Sequence, residues 1–105
     1  MRKIKTITEY IDDELADSEK YVRCAIQAKS DGDTLMFQTA AKLSEDELSH
    51  AMAWHDTAIK EISEIKAELN RRNQEVPQYM LDAWAEDHQH YVEKAAEIRY
   101  MISML

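Results

Sequence analysis

A long apolar pattern in the middle of the chain limits most strongly what the chain can fold into. Its positions recur at steps of three and four, so they lie along one side of an α-helix. They are Met36, Ala40, Leu43, Glu47, His50, Trp54, Ala58, Ile62, Ile65 and Leu69. Two of them, Glu47 and His50, are polar, and a charge that faces a core costs several kcal/mol unless it is paired or bound to a metal. The pattern therefore predicts a partner for Glu47 and His50.

The rest of the chain predicts a helical protein with a single domain over residues 1–105. One Gly and one Pro among 105 residues are too few for strands joined by tight turns. We predict three helices, over about residues 7–29, 34–69 and 78–105. Short connections between them give an all-α fold, a three-helix up-down-up antiparallel bundle.

Three local signals set these helix boundaries. Thr6 and Glu9 have the spacing of a capping box, which places the first helix start near residue 7. Gly32 can adopt positive φ after that helix, and Asp33 can cap the second one. Pro77 suits the start of the third helix.

Charge and cysteine content exclude several classes of partner. A net charge of −8 argues against nucleic acid and anionic membranes, both of which bind basic surfaces. The chain has no apolar run of about 18 residues and no apolar signal core near its start. The single cysteine, Cys24, excludes an internal disulfide and favours a reducing compartment. We therefore expect a cytoplasmic protein with no nucleic-acid or membrane partner.

The first helix carries a polar residue that matches those of the second. We call the positions that recur at steps of three and four along one side of a helix its seam. The seam of the first helix is Ile7, Ile11, Glu14, Ser18, Tyr21, Ala25 and Ala28. If the first two helices form an antiparallel hairpin about residue 31, Glu14 is level with position 48, between Glu47 and His50. Two carboxylates and one imidazole in an apolar setting form a site suited to iron, manganese or zinc. Without a cation the two carboxylates would repel each other.

Two other interpretations of these residues stay open. Residues 44–47 also fit a capping box, in which Glu47 would mark a helix restart and not a metal site. In the third helix, Glu97 is level with Glu47 and His50 along the bundle axis but lies beside the seam of its helix. His88 is in the seam, but about 13 Å away along the axis. The third helix therefore does not obviously complete the site, and whether Glu97 or His88 contributes a ligand stays open at this point.

One chain supplies half of the ligands of a dinuclear metal site. Two chains related by a two-fold axis would supply two Glu and two Glu-x-x-His, the ligand set of di-iron carboxylate four-helix bundles. We therefore expect a homodimer or larger homo-oligomer, and oligomerisation would also help a domain this small to bury apolar surface.

These residues resemble the first half of the ferritin-like superfamily. The similarity lies in Glu14 with Tyr21 seven residues later, followed by Glu47 and His50 with Ala51 after them. It is nearest to the rubrerythrin-type and encapsulated-ferritin pattern, and it covers about residues 7–69. The resemblance implies two irons per dimer and oxidation of Fe(II) by oxygen or peroxide. It implies that Glu14, Glu47 and His50 are ligands, with Glu47 bridging, and that Tyr21 supports them in catalysis.

The chain also departs from that family. It has no fourth helix, and Cys24 alone cannot form the paired-cysteine module of a complete rubrerythrin. The alternative is a non-enzymatic helical adaptor that keeps the motif as a remnant. Its acidic surface would then dock a basic protein, and the enzymatic role stays open at this point.

Overall fold

A computed structural model describes residues 2–105, and every regular element among them is a helix. The helices are α1 (Arg2–Asp31), α2 (Thr34–Arg71) and α3 (Gln78–Ser103). The prediction of an all-α chain with three helices is confirmed. The molecule measures 61 × 18 × 17 Å, so its length is close to that of α2.

The predicted start of the first helix is wrong by about five residues. α1 begins at Arg2, and Thr6 lies inside it instead of capping it. The cause is tertiary packing, because Ile4 is buried in a small apolar cluster with Met80 and Trp84. Burial of Ile4 holds this extra turn in helical form. At the other end of the chain, α3 stops at Ser103 and not at residue 105.

Both connections end the preceding helix with a residue of positive φ. Gly32 has φ 72°, and hydrogen bonds run from its amide to the Lys29 carbonyl and from the Asp33 amide to the Ala28 carbonyl. This is a Schellman arrangement, and Asp33 then caps α2 by accepting a hydrogen bond from the Met36 amide. The roles predicted for Gly32 and Asp33 are confirmed. Asn73, with φ 56°, ends α2 in the same way.

A pair of buried serines joins α1 to α2. The Ser18 hydroxyl donates to the Ser44 carbonyl at 2.7 Å, and the Ser44 hydroxyl donates to the Ser18 carbonyl at the same distance. Both side chains are fully buried, and their small size lets the two helices approach closely. Nearer the start of α1, Lys3 pairs with Glu61 at 2.8 Å, so the contacts move forward along α2 as α1 is followed back towards its start. α2 runs unbroken through Ser44, so the alternative of a helix restart there is wrong.

Replacing one of these serines tests how tightly the helices pack. Ser44→Ala removes one buried hydrogen bond and is expected to lower the free energy of unfolding by about 1 kcal/mol. Ser44→Leu adds bulk where no space exists and should cost about 1–3 kcal/mol more through overpacking. Urea unfolding of both variants measures the difference. Equal stabilities would mean that the helices are not in close contact at this point.

α3 packs along one flank of the α1–α2 pair. Its Lys94 bonds to Glu19 at 2.9 Å, and His90 lies 3.8 Å from Asp12. The main core contains residues from all three helices: Ile7, Ile11, Leu15, Leu48, Ala51, Ala58, Tyr91, Ala95 and Ile98. None of the three helices in residues 2–105 is long and apolar enough to cross a lipid bilayer.

The buried line of α2 is rotated from the predicted seam by about one residue. The residues buried in α2 are Ala40, Ser44, Leu48, Ala51 and Ala58. Met36, Leu43 and His50 belong to the predicted seam but are exposed. Ala40 and Ala58 of the predicted seam are buried as predicted, but between them the seam runs along the edge of the core.

Candidate metal centre

Glu14, Glu47 and His50 come together as the sequence predicts. One ligand atom from each lies within 4.8 Å of the others. The Nδ1 atom of His50 is 3.6 Å from a Glu14 carboxylate oxygen and 3.8 Å from a Glu47 oxygen. α1 supplies the first carboxylate, and one turn of α2 supplies the other two groups. The prediction that these three residues meet is confirmed.

The cluster is open on one side. The side chains of Glu14 and Glu47 are 24% and 21% exposed, whereas that of His50 is 58% exposed. The two carboxylates therefore lie at the base of the cluster and the imidazole lies at its mouth. The prediction placed these groups inside an apolar core. In one chain they lie instead on its surface edge.

One oxygen of Glu14 lacks a hydrogen-bonding partner. Its Oε2 atom is buried, and no donor among residues 2–105 bonds to it. A buried charged oxygen without a partner is costly, so such an atom requires explanation by a cation, water or another chain. This oxygen is also the one nearest to His50. The residues present therefore fit a cation held between Glu14, Glu47 and His50.

The cluster lies on the flank of α1 and α2 away from α3. Each residue of an α-helix turns by about 100°, so Glu14 points about 160° away from Asp12, which faces α3. By the same rule His50 points about 140° away from His55, which bonds to His88 of α3. α3 therefore covers one side of the helix pair and leaves the cluster uncovered.

Apolar and aromatic residues surround the cluster on this side. We call the surface the open face and define it by residues that share one side of α1 and α2: Tyr10, Glu14, Tyr21, Met36, Leu43, Glu47, His50 and Trp54. Several of its large apolar side chains are exposed, namely Tyr10, Met36 and Leu43. The open face therefore combines a polar cluster with an apolar border.

The contact between Tyr10 and Trp54 was missed in the sequence. Their ring centroids lie 4.9 Å apart, one turn from the cluster on both helices. Tyr10 precedes Glu14 by four residues and Trp54 follows His50 by four, so the spacing that placed the cluster could also have placed this pair. Exposure of Tyr10 together with this contact marks the border of the cluster as an aromatic surface.

Three further residues considered in the sequence lie outside the cluster. Tyr21 is half-buried on the open face, and among residues 2–105 no hydrogen bond joins it to Glu14 or Glu47. Glu97 is exposed and lies 3.7 Å from Lys94. His88 bonds to His55 on the other flank. α3 therefore contributes no residue to the group of Glu14, Glu47 and His50.

The donor set has a clear chemical preference. Two carboxylates and one imidazole are oxygen and nitrogen donors of hard to borderline character, and they suit iron, manganese or zinc. Three protein donors leave coordination positions free for another chain or for small molecules. Comparisons of the chain with protein-family models, with curated proteins and with solved structures found no match.

Proposed function

We propose that the protein is a metal-binding, ferritin-like half-bundle. In this proposal the three helices form an up-down-up unit, and two chains join through their open faces. Four helices, two from each chain, would then surround two metal ions. The observation that carries the proposal is the meeting of Glu14, Glu47 and His50 around a buried carboxylate oxygen that has no hydrogen-bonding partner among residues 2–105.

Completion by a second chain explains two features of the open face. Glu14 and the Glu47-x-x-His50 pair, taken twice, give the two Glu and two Glu-x-x-His of a dinuclear carboxylate site. The exposed apolar residues Tyr10, Leu43 and Met36 would be buried against the partner. An isologous contact about a two-fold axis brings the same face of both chains together.

The residues of each chain would have different roles at such a site. Glu47 would bridge the two metals, while Glu14 and His50 each hold one of them. Tyr21, on the same face of α1, would support the ligands. When bound, iron would supply Fe(II)/Fe(III) redox chemistry, which gives the protein a ferroxidase or a peroxide- or oxygen-reducing activity. Manganese and zinc fit the same donors. In the ferroxidase activity, Fe(II) from the cytoplasm would be the substrate.

Metal content per chain tests this function. Protein purified without a histidine tag and loaded anaerobically with Fe(II) is expected to retain about one iron per chain in a dimer, because each chain supplies half of a two-metal site. Elemental analysis together with molar mass by light scattering measures both quantities. A chelator should lower the thermal midpoint of the loaded protein, since a bound ligand stabilises the folded state.

The opposite result would favour the non-enzymatic alternative. A dimer that retains no metal and does not respond to chelator would contradict the metal site. The open face and the acidic surface would then belong to an adaptor that docks a basic protein.

A further inference from the structure

A cavity lies on the flank of the molecule opposite the metal cluster. Its volume is about 270 Å³, and residues from all three helices line it. Most of its wall is apolar, formed by Ile4, Ile11, Ile59, Ile62, Leu81 and Trp84. A cavity with apolar walls and a few convergent polar groups is the usual form of a small-molecule site.

The polar groups of this cavity gather at one end. His55 and His88 are joined by a hydrogen bond of 3.0 Å between Nε2 of the first and Nδ1 of the second. The His55 ring also stacks on Tyr91 with centroids 3.9 Å apart, so its position is fixed from two sides. Asp12 and Asp87 also line the cavity, and they lie close together, because the Asp12 charge acts on Asp87. We call these four residues, Asp12, His55, Asp87 and His88, the acidic end.

The acidic end brings two carboxylates together, and His90 of α3 lies 3.8 Å from one of them, Asp12. Burial lowers the pKa of His55, and the neighbouring His88 lowers it further, so His55 is neutral at pH 7. Burial raises the pKa of the Asp87 carboxyl, and the charges of Asp12 and Glu86 raise it further. These effects indicate two carboxylates that repel each other beside the neutral His55 imidazole. A cation placed between them would relieve that repulsion.

The other end of the cavity has a different character. Lys66 lines the cavity eleven residues after His55, or about 16 Å further along α2. At that separation it does not neutralise the carboxylates of the acidic end in water, because the distance exceeds a Debye length of about 8 Å at physiological salt. Between the two ends the wall is apolar. The cavity thus matches a molecule with an apolar body and one positive end.

We propose that this cavity binds a small arylalkylamine, with its ring among the apolar residues and the ammonium group of its alkyl chain at the acidic end. Size supports this class of ligand. A cavity of about 150 Å³ accepts benzene, so the larger volume here suits a ring with a short chain, of about eleven non-hydrogen atoms. The ammonium would lie near Asp87 and Asp12, and the overall net charge of −8 would attract it.

Trp84 provides the readout for a binding test. Trp84 lines the cavity, whereas Trp54 lies on the open face. In a Trp54→Phe variant, the tryptophan fluorescence therefore comes from Trp84 in the cavity alone. The probe is 4-phenylbutylamine, with 4-phenylbutyrate and 4-phenylbutanol as matched anionic and neutral molecules. The amine should change the Trp84 fluorescence saturably and bind at least about tenfold more tightly than the carboxylate, as expected for one charge-assisted hydrogen bond. Absence of a saturable change, or equal binding of amine and carboxylate, would overturn the proposal.

Two substitutions separate the charge from the cavity. Asp87→Asn should weaken the amine about tenfold and leave the alcohol unchanged, because only the ammonium needs the charge. Ala85→Phe places a ring over the cavity and should abolish binding of both the amine and the alcohol. Ala96→Phe is the control, because Ala96 is also an exposed alanine of α3 but does not line the cavity, and this variant should bind both molecules normally. Retained amine binding in the Ala85→Phe variant would contradict the assignment to this cavity. Glu47→Ala should leave amine binding unchanged, so the outcome is independent of the metal site.

Discussion

A Glu47→Ala variant is expected to lose its bound metal, retaining less than about a tenth of the metal held by the unaltered protein. Removal of Glu47 takes away the predicted bridging carboxylate and leaves Glu14 and His50, which come from different helices, as the only donors of the group. Loss of one good ligand typically weakens binding far more than loss of a supporting contact, whose removal costs about 10–100-fold. Elemental analysis after gel filtration measures the retained metal.

Glu45→Ala is the matched control for this prediction. Glu45 is an exposed carboxylate on the same helix, two residues from Glu47 and outside the cluster. Both substitutions place a good helix former on the surface of α2, so neither should unfold it. Unchanged metal content in Glu47→Ala, or equal loss in both variants, would refute the assignment of Glu47 as a ligand.

A Leu43→Asp variant is expected to be monomeric, with its dimer dissociation constant raised at least about a hundredfold. Leu43 lies on the open face, one turn before Glu47, and is 37% exposed in the single chain. An aspartate there would be solvated in the monomer but buried without a partner in the proposed dimer. Such burial costs several kcal/mol, and each 1.4 kcal/mol is tenfold in affinity. Sedimentation equilibrium of metal-free and metal-loaded protein measures the constant.

Val92→Asp provides the comparison for the dimer. Val92 on α3 has a similar exposure to Leu43, 42% against 37%, but it is not part of the open face. Its substitution should leave the dimer intact. A Leu43→Asp variant that still has the mass of two chains, or a Val92→Asp variant that does not, would place the contact between chains elsewhere. Far-UV circular dichroism should be alike for both variants, because both positions are exposed in the single chain.

The position of the group of Glu14, Glu47 and His50 could be predicted because it depends on helix spacing alone. One turn, near residue 31, fixes the alignment of α1 with α2, and the observed pair of Ser18 and Ser44 has this alignment. Glu14, Glu47 and His50 then meet without any knowledge of side-chain packing. The turn itself was predictable because Gly32 and Asp33 each have a conformational preference that few residues share.

The rotation of α2 could not be predicted in the same way. Met36 and Leu43 are apolar and Ser44 is polar, so composition favoured a buried line through the former. The structure buries Ser44 because Ser18 faces it, and two small side chains that bond to each other's backbone permit a closer approach than larger ones. Such a pairing depends on residues 26 positions apart. A pattern within one helix does not contain that information.

The start of α1 was missed for a related reason. Thr6 and Glu9 have the spacing of a capping box, but the contact of Ile4 with Met80 and Trp84 favours a longer helix. Tertiary burial outweighs a cap that contributes about 1 kcal/mol. The acidic end of the cavity was likewise not predicted, because His55 and His88 meet only once α3 is docked.

The placement of α3 bears on how far any assembly of these chains can grow. A bare pair of amphipathic helices has an apolar surface on each side, and contacts through both sides would link copy after copy into an open array. With one side occupied by α3 of the same chain, the open face is the side of the helix pair that α3 leaves for a neighbour. When that face meets its own copy about a two-fold axis, both are used up, so growth by this contact stops at two chains. In the proposed dimer, α3 would thus limit each helix pair to one contact of this kind.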